Sequence, residues 1–256
     1  MLTILHINTN DLKEITLLSP DTVLGKNRLL AALPRKDQQR LVSVSECVDI
    51  HFADTIYEPD QKIRHVYFPC DSFVSYVKSL EKRERVELGM IGSEGMLGAT
   101  LALGVPTAPF YAIVQGMGSA WRMKADTFRK ELEAIPALRR RVNRYLFVLL
   151  NQFAQNATCM RFHLVEQRLA RWLLMTQDRA HSETLHLTQE FLSSMLGVRR
   201  VGVSNAASSL HERKLISYSR GEIHILDRQG LIAAACPCYE IDNHYYDSIM
   251  NKASAA

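Results

Sequence analysis

The chain has 256 residues, of which 47% are hydrophobic and 23% are charged, and its formal net charge is +4. This composition is typical of a globular protein with one large domain or two modest ones, and no apolar run approaches the roughly 20 residues that a membrane span needs. Acidic residues interrupt the apolar stretches of the first 20 residues, and no basic leader precedes them. We therefore expect a cytoplasmic protein without a signal peptide or a membrane partner.

The N-terminal half carries a period of two. Residues 1–27 have no clean period and are predicted to be an N-terminal extension, and two short helices follow, the first ended by Pro34. Apolar and polar residues then alternate in HVYFP, FVSYV, RVELGMI, FYAIVQ and SAWRM, with Gly, Pro and Asp between them. Alternation of this kind indicates half-buried strands, and several short strands with regular turns predict a small antiparallel barrel or jelly roll over residues 28–135.

A helical period replaces the alternation at residues 136–162. The recurring positions are Leu138, Val142, Tyr145, Leu149, Phe153, Asn156 and Met160, with Leu146 and Leu150 widening the stripe. This spacing is close to that of a coiled-coil seam, so we predict a long helix that forms a dimer interface. The alternative is that the stripe packs on the barrel of its own chain. His163 marks the predicted end of the helix.

Residues 185–227 have the order of a winged helix-turn-helix. Thr188 is predicted to cap a first helix, Gly197 lies in a short turn, and a second helix runs from about Arg199 to Arg213. The segments KLISYS and EIHILD then alternate on both sides of a predicted turn at Arg220-Gly221. In this motif the second helix enters the major groove of DNA.

Two adjacent arginines stand at the predicted start of that second helix. Cations are unfavourable at a helix N-terminus, so Arg199 and Arg200 indicate an anionic partner there, and we predict double-stranded DNA. An arginine can donate hydrogen bonds to guanine O6 and N7, Asn205 can form hydrogen bonds with adenine, and serines can donate hydrogen bonds to phosphate oxygens. The alternative is a solvated helix face. The predicted DNA-binding residues are Arg199, Arg200, Val201, Ser204, Asn205 and Ser208.

The cysteines and histidines do not predict a metal site or a catalytic site. The five cysteines are an odd number, and Cys236-Pro-Cys238 is their one close pair, with no second pair or Cys/His motif at zinc spacing. We predict reduced thiols and no metal, and redox activity of the pair stays open. No His-x-His pair or nucleophile–base motif appears, so we predict that the protein is not an enzyme.

Several long segments resemble the Crp/Fnr family of bacterial transcription regulators. They are NRLLAALP, IRHVYFP, VELGMIGSEGMLG, RFHLVEQRLARWLLM, LTQEFLSSMLGVRRVGV, RKLISYSRGEIHILDRQGL and ACPCY. The resemblance implies an α+β protein with an N-terminal antiparallel β-roll (jelly-roll-like), a long central dimerisation helix and a C-terminal winged helix-turn-helix. The implied divisions are 1–27 extension, 28–135 cyclic-nucleotide-binding-like β-roll sensor domain, 136–162 dimerisation helix, 163–235 winged helix-turn-helix and 236–256 C-terminal tail.

The resemblance also assigns recognition positions to Arg200, Val201 and Asn205. Val201 stands where the cyclic-AMP-responsive members have Glu, which reads cytosine, and an apolar side chain could instead contact a thymine methyl group. The expected DNA sequence therefore differs from theirs. RNA polymerase is a further partner that such a regulator can contact.

The effector is the least defined part of the resemblance. A phosphate-binding cassette is suggested by Gly92, Glu94, Gly95 and Gly98. The Arg-Ser pair that should follow is missing, because no arginine occurs between Arg85 and Arg122. A buried phosphate without that partner is costly, so cyclic AMP is not expected and the effector is unknown. Simple turn geometry is the alternative reading of the glycines.

Haem is a second effector hypothesis, with ligands from His51, His65 or His163, although none of these lies in a specific motif. The leading functional prediction is a homodimeric DNA-binding regulator of Crp/Fnr type that binds a pseudo-palindromic promoter site. The alternative is a ligand or redox sensor that acts through protein contacts and carries a vestigial DNA-binding domain.

Overall fold

The computed structural model describes residues 26–81, 84–180, 184–219 and 221–251. The predicted N-terminal extension therefore lies outside the described residues except for Lys26 and Asn27. Among the described residues, no helix combines the length and the apolar character that crossing a membrane requires.

The N-terminal region contains two short helices, the strands of a β-roll, a 3-10 helix and a further α-helix. Their bounds are α1 (Arg28–Ala31), α2 (Arg35–Ser43), β1 (Glu46–Ile50), β2 (Thr55–Tyr57), β3 (His65–Pro69), β4 (Phe73–Glu81), β5 (Glu84–Ile91), a 3-10 helix (Ala99–Leu103), β6 (Tyr111–Gly116), β7 (Gly118–Lys124) and α3 (Ala125–Ala134).

The strands form two antiparallel sheets, in the orders β1-β7-β3 and β2-β6-β4-β5. Apolar side chains of both sheets fill the space between them, and Val66 and Phe68 of β3 are almost completely buried, as their alternation predicts. This arrangement confirms the predicted jelly-roll-like β-roll. The segments that became β1 and β2 were not singled out in the sequence.

The central and C-terminal elements are mostly helical. Their bounds are α4 (Pro136–Phe162), α5 (Val165–Ala180), β8 (Thr184–His186), α6 (Gln189–Leu196), α7 (Arg200–Glu212), β9 (Ile216–Ser219), β10 (Glu222–Ile225), α8 (Arg228–Ala234) and α9 (Cys238–Met250). Pro136 lies in the first turn of α4, where its missing N–H has no cost, and the helix ends at His163, whose backbone is extended.

The stripe predicted as a dimer seam packs on the β-roll of its own chain. Leu138, Val142, Tyr145 and Leu149 are between 0% and 7% exposed and belong to the β-roll core. The alternative interpretation of the stripe therefore holds at these four positions, whereas Leu150, which widened the predicted stripe, is 64% exposed. The β-roll is large enough to cover this face of α4. The helix also has a second face, which the β-roll does not cover.

That second face has its own coiled-coil spacing. Its exposed positions are separated alternately by four and three residues and are Asn143, Phe147, Leu150, Ala154, Ala157 and Arg161. Phe147 is 52% exposed and Leu150 is 64% exposed. We refer to these six residues as the outer seam of α4.

The burial of β5 is not that of a regularly alternating strand. Val86, Leu88 and Met90 share one face in the alternation of RVELGMI, but only Met90 is buried there, whereas Val86 and Leu88 are half-buried and Glu87 of the other face is buried. The register between β4 and β5 shifts at Tyr76/Val77, which is the effect of a β-bulge. Both faces of β5 are also covered, because α4 lies on one side and helix α6 of the C-terminal region lies on the other.

Two hydrophobic cores share the sheet of β4 and β5. One core fills the β-roll and includes the inner face of α4, and the other includes α5 to α8 together with Phe73, Val77 and Met90 of the β-roll. Helix α9 lies in the segment predicted as a tail and contributes Tyr246 and Met250 to the first core and Tyr239 to the second. The β-roll and the C-terminal region therefore meet across an apolar contact.

Candidate nucleic-acid interface and effector site

The turn between α6 and α7 is built by local backbone rules. The hydroxyl of Thr188 accepts a hydrogen bond from the N–H of Phe191 at 3.1 Å and so caps α6 as predicted. Helix α6 ends at Gly197, whose φ of +61° is left-handed and suits a residue without a side chain. A Cβ at Gly197 would lie 3.1 Å from Val86 of β5, so this turn sits directly on the β-roll.

Arg168 of α5 fixes the same turn from the inside. Its side chain is 8% exposed, and its guanidinium donates a hydrogen bond to the carbonyl of Leu196, the last residue of α6. A cation at a helix C-terminus satisfies an otherwise unpaired carbonyl and is favoured by the helix dipole. The turn that positions α7 is therefore held by helix α5 as well as by its own backbone.

Helix α7 has one buried and one exposed face. Its buried residues are Val203, Ala206, Ala207 and Leu210, and the two alanines let the backbone approach α5 and α6 closely. The opposite face carries every predicted DNA-binding residue, with Ser204 half-buried and the other five exposed: Arg199, Arg200, Val201, Asn205 and Ser208. Positions 201, 205 and 208 follow helical spacing, so their side chains share this face.

The N-terminus of α7 has no side-chain cap within the described chain. Arg199 occupies the capping position and makes no side-chain cap hydrogen bond. Among the described residues, neither Arg199 nor Arg200 has a partner. The free N–H groups of the first turn and the two guanidinium groups therefore point to solvent together, an arrangement that favours a polyanion.

A small sheet lies beside α7. Strands β8, β10 and β9 pair in that order, and all pairs are antiparallel. Ile216 and Ile223 are buried on the inner face of this sheet. The turn between β9 and β10 contains Gly221 with φ +83°, while Arg220 lies outside the described residues. A contact of 3.1 Å between Nδ1 of His211 and the carbonyl oxygen of Ile216 ties the end of α7 to this wing.

The glycine-rich turn of the β-roll is occupied by the protein's own side chains. Oε1 of Glu94 accepts hydrogen bonds from Nε and Nη2 of Arg179 at 2.9 and 2.6 Å, and from the N–H of Gly92 at 3.1 Å. A Cβ at Gly95 would lie 2.1 Å from the hydroxyl of Tyr145, and one at Gly92 would lie 2.9 Å from Arg179. The glycines therefore give room to a tyrosine of α4 and an arginine of α5.

Gly98 has a different role in the same turn. Its φ of +82° requires glycine, and its N–H donates to the hydroxyl of Tyr76 at 3.4 Å. Turn geometry accounts for this position, which was the alternative interpretation of the glycines.

A polar cavity of about 420 Å³ opens next to the glycine-rich turn. It lies between the turn and helices α4, α5 and α9, and its polar lining includes Arg28, Glu94, Asn151, Arg179, Asp242 and Asn243. Two arginines, four carboxylates and several amide groups together suit a small polar ligand. Sequence reasoning could not find this cavity, because its walls come from five separate parts of the chain.

Glu87 is a buried acid between the β-roll and the C-terminal region. Its carboxylate accepts hydrogen bonds from the Ser75 hydroxyl at 2.5 Å and from Nε1 of Trp172 at 3.1 Å. Asn156 of α4 donates to its backbone carbonyl at 2.7 Å. Burial raises the pKa of Glu87 to about 7, and the hydrogen bonds from Ser75 and Trp172 oppose a larger rise.

The structure brings four potential metal ligands together at the end of α4. Cys159 and His163 lie four residues apart, and Cys236 and Cys238 precede and begin α9. Their ligand atoms all lie within 4.8 Å of one another. The hydrogen bond between Cys159 and Cys236 lowers the pKa of Cys159 and raises that of Cys236. No local sequence motif reveals this group, because Cys159 and Cys236 are 77 positions apart in the chain.

The three histidines considered for haem lie in different surroundings. His51 is exposed beside Asp54, His65 lies in β3, and His163 belongs to the cysteine group.

Comparison with known proteins supports the C-terminal assignment directly. Residues 167–234 match the family model of the Crp-like helix-turn-helix domain. No curated protein matches the chain in sequence.

Solved structures share the fold over most of the chain. FixK2 from Bradyrhizobium japonicum is 19% identical with a TM-score of 0.64, and the match covers 75% of this chain and 98% of that one. The c-di-GMP-responsive global regulator CLP from Xanthomonas campestris is 14% identical with a TM-score of 0.62, covering 75% and 99%. A Crp-family transcriptional regulator from Thermus thermophilus is 17% identical with a TM-score of 0.61, covering 73% and 96%.

The described chain thus combines a β-roll, a long helix and, at residues 167–234, a Crp-like helix-turn-helix domain whose second helix has an exposed face. The family-model match supports the sequence resemblance to the Crp/Fnr family within this domain, and the solved regulators named above share the fold of the chain.

Proposed function

We propose that the protein binds a pseudo-palindromic promoter site as a homodimer and that an effector other than cyclic AMP controls it. The single observation that carries the proposal is the exposed face of α7, which begins with two unpaired arginines in the described structure and continues through Val201 and Asn205. These residues would lie in the major groove, with the wing beside them.

The base-reading roles follow from side-chain chemistry. Arg200 can donate two parallel hydrogen bonds to guanine O6 and N7, and the Asn205 amide can pair with adenine N6 and N7. Val201 is 64% exposed, so its side chain is accessible for contact with a thymine methyl group. Arg199, Ser204 and Ser208 are assigned to phosphate contacts, which position the helix.

The outer seam of α4 is the proposed dimer interface. It keeps alternating steps of four and three residues from Asn143 to Arg161, which is the repeat of a coiled coil. Of its large apolar members, Phe147 is 52% exposed although its ring lies 6.1 Å from that of Tyr245, and Leu150 is 64% exposed. A second copy of the same helix would bury them, and two-fold symmetry would place two α7 helices on half-sites about one helical turn apart.

The polar cavity beside Glu94 is the proposed effector site. Nucleotide binding in the usual cassette mode would have to displace Arg179 from Glu94 and would find no arginine after the glycines to neutralise the phosphate. CLP is described as responsive to c-di-GMP, so larger anionic nucleotides belong in any ligand screen. A ligand in this cavity would contact α4, α5 and α9 at once and could shift the C-terminal region relative to the β-roll.

The experiment is selection of bound sequences from random duplex DNA at fixed salt, with and without cyclic AMP. We expect a palindrome to be enriched without nucleotide, and binding to it to fall steeply with salt. Arg200→Ala and Asn205→Ala should each weaken binding by about 1–3 kcal/mol. Arg139→Ala is the matched control, because it removes one exposed positive charge near the start of α4, outside the helix-turn-helix.

Two results would contradict the proposal. Enrichment only with cyclic AMP would show that the glycine-rich turn binds nucleotide in spite of its missing arginine. Unchanged regulatory output after substitution of Arg200 and Asn205 would favour the alternative function, a ligand or redox sensor that acts through protein contacts.

A further inference from the structure

The buried group at the end of α4 has the composition of a closed metal site. Cys159 Sγ lies 3.4 Å from Cys236 Sγ, and Cys238 Sγ lies 3.4 Å from Nδ1 of His163. The three cysteines are between 0% and 2% exposed. Three sulfur atoms and one imidazole nitrogen, with no carboxylate among them, form the set that structural zinc sites use.

The separations fit a single tetrahedral ion. With Zn–S bonds of about 2.3 Å and a Zn–N bond of about 2.0 Å, the ligand atoms of a tetrahedral site lie about 3.5–3.8 Å apart. The two contacts of 3.4 Å are slightly shorter than this, and no two ligand atoms of the group lie farther apart than 4.8 Å, which exceeds it by about 1 Å. A small adjustment of side chains would therefore complete the site. A four-iron cluster would need its ligands to surround a much larger body.

The surroundings of the group also suit bound thiolates. Nε2 of Gln155 donates to Cys238 Sγ at 2.9 Å. Arg171, on the neighbouring helix α5, is 6% exposed and interacts electrostatically with Cys159. Three thiolates and one Zn²⁺ carry a net charge of −1, and besides Arg171, which is paired with Asp242, the buried Arg168 also interacts electrostatically with Cys159. Hydrogen bonds to ligand sulfur are the usual outer contacts of such sites.

We propose that Cys159, His163, Cys236 and Cys238 bind one Zn²⁺ ion and thereby fasten the C-terminal helix α9 to the hinge between α4 and α5. His163 is the residue at which the long helix breaks. The N–H of Cys236 already contacts the carbonyl of Gln167 on α5 at 3.4 Å. The ion would therefore join three helices at the point where the β-roll side of the molecule passes into the DNA-binding side. This assignment replaces the expectation of unliganded thiols.

The first test is the metal content of the full-length chain, purified under reducing conditions without a metal-affinity tag. We expect about one zinc per chain. After removal of zinc, titration with Co²⁺ should give the intense visible absorption of a tetrahedral ion and a thiolate-to-metal charge-transfer band. The thermal midpoint should fall on chelation and recover on addition of Zn²⁺.

Matched cysteine variants assign the ligands. Cys159→Ser and Cys238→Ser should each lose zinc and the charge-transfer band, whereas Cys47→Ser, at an exposed site, and Cys70→Ser, at a buried site in the β-roll, should keep both. The Co²⁺ spectrum of the unaltered chain tests the proposal even where a variant fails to fold. Absence of metal with all thiols reduced, octahedral Co²⁺ absorption, or iron with acid-labile sulfide would each overturn the proposal.

Discussion

Arg179 and Glu94 form a nearly buried ion pair in which two guanidinium nitrogens contact one carboxylate oxygen, at 2.9 and 2.6 Å. Their side chains are 14% and 16% exposed. Glu94 belongs to the glycine-rich turn of the β-roll and Arg179 to the helix that leads into the helix-turn-helix. The residue that would hold a ribose hydroxyl in a nucleotide-binding relative is thus bound to the DNA-binding side of the same chain.

The first prediction concerns this pair. Arg179→Met should lower the free energy of unfolding by about 3–5 kcal/mol, because it leaves a buried carboxylate without its partner. Adding Glu94→Gln to that variant should recover part of the loss. A double-mutant cycle in urea measures the coupling. The exposed pair Asp126–Arg129 serves as control and should show little coupling. Strictly additive losses at Glu94 and Arg179 would refute the prediction.

The second prediction is a dependence of stability on pH from Glu87. Its pKa is raised to about 7 in the folded protein, against an ordinary value of 4.5. Below pH 4.5 the group is protonated in both states and has no effect. Between pH 4.5 and 7 the folded state binds more protons than the unfolded state, so stability falls as pH rises, by about 3 kcal/mol in total.

Glu87→Gln should remove that part of the pH dependence, because the amide can still accept from Trp172 and donate to Ser75. Urea unfolding of the two proteins from pH 4.5 to 8 makes the comparison. Parallel stability curves for Glu87→Gln and the unaltered chain would show that another group titrates in this range.

The third prediction concerns base preference. Val201→Glu should change one position of each half-site from thymine toward cytosine, because a carboxylate accepts from cytosine N4 and no longer contacts a methyl group. Val201→Ala is the control and should weaken the thymine preference without creating a cytosine preference. Selection from random duplexes gives both results. An unchanged consensus for Val201→Glu would mean that residue 201 does not face the bases.

The fourth prediction concerns the outer seam. Leu150→Glu should convert the dimer to a monomer, because it places like charges opposite one another in a symmetric helix pair. Leu80→Glu, at a site that is 82% exposed in β4, is the matched control and should leave the dimer intact. Sedimentation at several concentrations distinguishes the two states. A dimer that persists in Leu150→Glu would place the interface elsewhere.

The sequence predicted most elements because local signals were strong. Thr188 and Gly197 mark the two ends of α6 through capping chemistry, and Pro136 marks the start of α4. Alternation located β3, β4, β5, β6 and β7. The predicted DNA-binding residues also appear on one face of α7, because helical spacing alone determines that arrangement.

The sequence could not show which face of a helix is covered by another part of the chain. Both stripes of α4 are apolar, and only the position of the β-roll shows that Val142 and Leu149 face inward and Leu150 outward. The cysteine group and the polar cavity arise from long-range contacts that no local pattern contains.

Helix α9 makes the two halves of the molecule interdependent. Tyr246 donates to the carbonyl of Glu94 at 2.8 Å, while Asp242 pairs with Arg171 at 2.5 Å. Helix α9 thus contacts both the glycine-rich turn of the β-roll and helix α5, through two residues that lie one helical turn apart. Any movement between the two halves of the molecule must either carry α9 along or break one of these contacts. The cost of breaking them adds to the free energy that a ligand in the proposed effector cavity would have to supply.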